Sequence, residues 1–170
     1  MVSNNRRLAL ASLFGAVIFV TLGFLPAPTA DFLIAVEAFF LCLSFLVVGR
    51  GGATYVGIVA GLLISVTKFS FFPLDLVFAT LFGLAIDATG LALRAKVGNV
   101  TSTARLVVAA TISTTVVGFL AYYVSVVLTG LLPNDAVMDS TIIVFGIFSG
   151  AVGGYAAARV WNGYLRVRVQ

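Results

Sequence analysis

Apolar residues run along the chain in six long stretches, at positions 8–25, 32–48, 53–67, 74–93, 104–132 and 141–164. Each is near the roughly 20 apolar residues that an α-helix needs to cross a bilayer. None shows the polar stripe that a helix on a water-facing surface would carry. The breaks are made of residues that stop helices: Pro26-Ala27-Pro28, Gly49-Arg50-Gly51-Gly52, Phe69-Ser70-Phe71-Phe72-Pro73, a polar link over 94–103, and Pro133-Asn134-Asp135. The pattern predicts an all-α, polytopic membrane protein with six transmembrane helices in a single domain over 1–170. The third run is the shortest, and the fifth is long enough to tilt or to project beyond the bilayer. The first run exceeds the 7–15 apolar residues of a signal peptide, and Pro28 spoils a small-x-small cleavage site, so it reads as a retained span.

Composition agrees with lipid rather than water as the solvent. Of 170 residues, 61% are hydrophobic and 9% charged, against about 25% charged in soluble domains. Mean hydropathy is +1.17. The net charge of +4 is not gathered into one basic patch, which argues against a nucleic-acid partner. Basic residues recur instead between apolar runs. With a cytoplasmic N-terminus, Arg6, Arg7, Arg50, Arg94, Lys96, Arg105, Arg166 and Arg168 fall inside, and only Lys68 falls outside, beside Asp31, Asp75, Asp135 and Asp139. This positive-inside pattern predicts that both termini are cytoplasmic in the cell (plasma) membrane.

Helix packing in lipid relies on small residues. Gly57 and Gly61 provide them in the third run, and Gly146, Gly150 and Gly154 in the sixth. These read as contacts within the molecule. In the first run, Ala11 with Gly15 and Ser12 with Ala16 serve equally well for an internal contact or for one with another chain. The hydroxyls of Thr111, Ser113, Thr114 and Thr115 can bond back to the preceding turn, which favours a structural role over a polar pathway.

Charges inside apolar spans cost about 3 kcal/mol on insertion scales and call for a partner. Asp87 lies seven residues before Arg94 and Arg159 seven before Arg166. Both then sit at similar depth, and we expect them to form a structural ion pair. Glu37, below Asp31, is equally placed to touch a ligand or to bond a neighbouring hydroxyl. At the outer end Lys68 and Asp75 bracket an aromatic segment, Tyr122 and Tyr123 lie near the end of the fifth run, and Asn134, Asp135 and Asp139 follow. Aromatic faces with a few polar groups make a small-molecule pocket. An interfacial aromatic belt with solvated acids is the alternative.

Several chemistries lack their residues. There is no histidine, which removes His-Glu-x-x-His metal sites and Ser–His dyads. No phosphate-binding Gly-x-x-x-x-Gly-Lys-Ser/Thr loop is present, so the chain brings no ATPase motif of its own. The single cysteine, Cys42, excludes an intrachain disulfide. No cofactor, metal site or catalytic residue is expected, and the chain is not read as an enzyme.

The basic N-terminus leading into Ala11-Ser12-Leu13-Phe14-Gly15, the Pro26-Ala27-Pro28 loop and the glycine-rich third run after Gly49-Arg50-Gly51-Gly52 resemble the S components of energy-coupling factor (ECF) transporters. These are the substrate-binding membrane subunits of vitamin importers. The resemblance extends over the whole chain in size, span number and loop length. It implies a binder that captures a vitamin or related micronutrient outside and delivers it inward with a transmembrane coupling subunit and two ATPases. That family docks on its coupling subunit through an Ala-x-x-x-Ala in the first helix. The matching positions are Ala11 and Gly15, with glycine in place of the second alanine. By the same resemblance, Lys68, Asp75, Tyr123, Asn134 and Asp139 become ligand-binding candidates, with the loop around Asp31 as a lid. The nickel and cobalt relatives use an N-terminal histidine, absent here. The competing reading is a small non-catalytic membrane subunit that scaffolds a larger complex.

Overall fold

The structure is a computed structural model that describes residues 4–24, 33–67, 73–98, 100–128, 130 and 136–166. It is all-helical apart from one small hairpin. The six helices are α1 (Asn4–Gly23), α2 (Ile34–Val48), α3 (Gly52–Thr67), α4 (Leu74–Ala92), α5 (Thr103–Tyr123) and α6 (Ala136–Val160). α5 and α6 each run on into a widened π turn, Val124–Leu128 and Trp161–Leu165. Three segments, Leu74–Ala92, Thr103–Val126 and Ser140–Leu165, are long and apolar enough to cross a membrane. The apolar parts of the first three helices, Leu8–Gly23, Ile34–Val48 and Gly52–Thr67, are shorter.

α2 is the central helix. It packs on α1, α3 and α6 and touches α4 and α5. Every residue from Leu41 to Val47 is buried, because a helix that is apolar all round is stable only when surrounded. The core consists of this stretch with Val56, Phe82, Ile86, Leu106 and Trp161.

Glycines set the two tightest crossings. A Cβ on Gly57 would overlap the carbonyl oxygen of Ala79, and one on Gly83 would overlap that of Ala53. α3 and α4 therefore cross backbone to backbone. Along α6, Gly146, Gly150 and Gly154 rest on Thr115, Thr111 and Val107 of α5 in antiparallel register. Both glycine series are thus internal contacts.

The link after α4 is more ordered than a polar connection. β1 (Lys96–Val97) pairs antiparallel with β2 (Val100–Thr101). Gly98, at φ +60°, supplies a backbone conformation that side-chain-bearing residues rarely adopt. The sequence signal was Val97-Gly98-Asn99-Val100, a two-residue turn between β-branched residues. Three attachments hold the hairpin to the bundle. Ala95 is fully buried. The Asn162 side chain donates to the Thr101 carbonyl at 3.0 Å and accepts from its N–H at 3.4 Å. Lys96 Nζ lies 4.3 Å from the centroid of the Trp161 ring and donates to the Leu46 carbonyl in the last turn of α2, where a cation complements the helix dipole.

Candidate functional site

Two acidic residues stand at the starts of α2 and α4. Glu37 stands in the first turn of α2 and Asp75 in the first turn of α4. Both are half-buried, and their carboxyls lie within electrostatic range of each other. Both helices begin at the end of the bundle opposite the hairpin. Acids in first turns are also favoured locally, since a helix N-terminus carries positive partial charge. Sequence reasoning left Glu37 open between a ligand and a hydroxyl.

The two tyrosines separate. Tyr122 is buried, while Tyr123 is 50% exposed. Tyr123 faces away from the core and lines a shallow groove of about 500 Å³ with Thr115, Val116, Phe119, Leu120 and Ile143. Consecutive helical residues point about 100° apart, so at most one of the pair can face inward. The candidate tyrosine on the inward side of α5 is therefore Tyr122 rather than Tyr123. Lys68, Asn134 and Asp31 lie outside the described residues, and the Asp139 side chain, in the first turn of α6, lies outside the described side chains.

The expected pair of Asp87 with Arg159 is replaced by another arrangement. Asp87 is buried, and its carboxylate accepts from the Thr54 N–H at 2.8 Å, the Thr54 hydroxyl at 2.6 Å and the Ala53 N–H at 3.4 Å. It caps the N-terminus of α3 from the neighbouring helix, satisfying donors that the first turn leaves without intrahelical partners. Arg159 is exposed on α6. Asp87 faces α3, while Arg159 faces outward from α6. Equal depth along two helices does not make them neighbours.

Ala11 and Gly15 also turn inward. Ala11 is fully buried, and a Cβ on Gly15 would lie 2.7 Å from Val59 Cγ1 of α3. Beside them the Ser12 and Tyr55 hydroxyls bond at 3.1 Å. The docking positions read from the resemblance lie in an internal α1–α3 contact, and the outward face of α1 carries Leu8, Leu13 and Val20.

The hydroxyls of α5 divide as well. Thr114 bonds back to the Ala110 carbonyl at 2.8 Å, while Ser113 reaches Thr89 of α4 at 2.9 Å. They serve packing within and between helices. Among the described residues no group of three or more metal-ligating side chains is assembled. Comparison of the chain with protein-family models, with curated proteins and with solved structures gives no match.

Proposed function

We infer that the chain is a six-span protein of the cell membrane with both termini in the cytoplasm, and that it works as the substrate-binding S component of an ECF-type importer. Its ligand is a vitamin-like micronutrient bearing a cationic or hydrogen-bond-donating group. Coupling to transport is supplied by a transmembrane partner and ATPases. The observation that carries this reading is the placement of Glu37 and Asp75, half-buried in the first turns of α2 and α4, in the half of the bundle away from the arginine-rich end. Two carboxylates in apolar surroundings repel each other, and a donor or cation placed between them relieves that repulsion. The positive-inside distribution puts this pair on the outer side.

Binding is tested by thermal unfolding of detergent-purified protein against a panel of vitamins and precursors. One member is expected to raise the midpoint in proportion to the logarithm of its concentration. In Glu37→Gln and Asp75→Asn that shift is expected to shrink as affinity falls by roughly tenfold or more, the worth of a hydrogen bond to a charged group. Absence of any stabilising ligand, with constant co-purification of a larger membrane complex, favours the scaffolding reading. Orientation is tested in cells by single-cysteine labelling. Arg50→Cys is expected to react only from the cytoplasmic side and Asp135→Cys only from outside. The native Cys42 is fully buried and adds little background. Labelling of both positions from the same side overturns the topology and the outward site with it.

A further inference from the structure

We propose that the hairpin between α4 and α5, with Arg94 and Arg105, is a binding seat for an anionic phospholipid headgroup. Val97 and Val100 are 63% and 52% exposed, although they form the only pair of β-branched residues at the tip of a polar link. The link cannot swing freely, because the Asn162–Thr101 bonds and the buried Ala95 fix it to the bundle. The valines are therefore presented, not merely uncovered. Two arginines flank the hairpin in the chain. Arg94 is exposed and holds a left-handed backbone at φ +49°. Arg105, in the first turn of α5, is exposed as well, and its Nη1 donates to the Arg94 carbonyl at 3.5 Å. That contact brings the Arg105 guanidinium to the backbone of Arg94, at the base of the hairpin.

The charge surroundings have a single sign. No acidic residue occurs between Asp87 and Asp135 or after Asp139, and Asp87 is buried in the α3 cap. Two arginines flanking two valines, next to the ends of membrane-length helices, match a phosphate with acyl chains below it. A stable protein interface needs roughly 800 Å² from each partner, which this small footprint does not offer. Lys96 is excluded from the seat although it lies between the arginines in sequence, because it is turned inward onto Trp161 and Leu46.

The test is native mass spectrometry of the detergent-purified protein with phosphatidylglycerol or phosphatidylcholine, and with soluble glycerophosphate as a headgroup lacking chains. Wild type is expected to retain phosphatidylglycerol over phosphatidylcholine by roughly thirtyfold, the value for two basic residues at a membrane surface at about 1 kcal/mol each. Arg94→Gln with Arg105→Gln is expected to bring that ratio near unity. Val97→Ser with Val100→Ser is expected to weaken retention of both lipids. Lys96→Met is expected to lower the unfolding midpoint while leaving the lipid ratio unchanged. Equal retention of the two lipids by wild type overturns the proposal without recourse to any variant. So does an unchanged ratio in the arginine double variant, or equal binding of soluble glycerophosphate, which assigns the site to free phosphate.

Discussion

Asp87→Ala is expected to lower the thermal unfolding midpoint by roughly 10 °C, reflecting a loss of about 3 kcal/mol, while Arg159→Gln leaves it nearly unchanged. The alanine removes the acceptor for the Ala53 and Thr54 N–H groups and the Thr54 hydroxyl at once. It also removes a negative charge from the positive end of α3, which contributes up to about 2 kcal/mol in a partly buried setting. Water cannot readily replace it, since Asp87 is 4% exposed. Asp87→Asn keeps one oxygen acceptor without the charge and is expected to lose about half as much. The chain has one tryptophan, Trp161, which is buried, so intrinsic fluorescence follows unfolding without a label. A double variant of Asp87→Asn with Arg159→Gln is expected to be additive within about 0.5 kcal/mol, as for residues that share no contact. Strong coupling in that cycle would mean that the two side chains meet after all.

The second large effect belongs to the crossing beneath that cap. Gly83→Ala is expected to destabilise by about 3 kcal/mol, at the upper end of the usual cost of overpacking. The new methyl group would collide with the Ala53 carbonyl and come within 2.8 Å of Thr54 Cα. Both are backbone atoms of a rigid helix and cannot rotate aside. The helices must separate, and separation draws Thr54 away from Asp87, one turn along the same face of α4. Gly83→Ala and Asp87→Ala are therefore expected to be less than additive. Gly118→Ala provides the control. Its added carbon would meet nothing nearer than Ile142, at 4.0 Å. Helix propensity favours alanine there by up to about 1 kcal/mol, so this variant is expected to match or exceed wild type. Equal losses from Gly83→Ala and Gly118→Ala would refute the close-crossing account.

The hairpin and the acidic pair differ in how visible they were beforehand. The turn could have been read from Val97-Gly98-Asn99-Val100, but its attachment by Asn162 spans more than sixty positions of sequence. Glu37 and Asp75 were each recognisable as costly in an apolar run. Their placement relative to each other depends on how α2 and α4 are rotated about their own axes, and runs this uniformly apolar carry almost no moment to fix that rotation. The same gap explains why the burial of Tyr122, the exposure of Tyr123 and the inward packing of Ala11 and Gly15 could not be read from the sequence.

What the amino-acid order determined by itself is the number and approximate extent of the helices, the places where glycines permit close approach, and the separation of basic from acidic ends. These properties are local: run length, turn residues and charge are carried by neighbouring positions in one dimension. Tertiary structure alone decided which helix lies beside which. It gave Asp87 to the first turn of α3 instead of Arg159, set Glu37 and Asp75 at the same end of the bundle, and drew Lys96 inward onto Trp161 while leaving Arg94 and Arg105 outside. Partner choice follows from helix order and rotation, which are fixed by packing over the whole bundle, and no single stretch of sequence contains them.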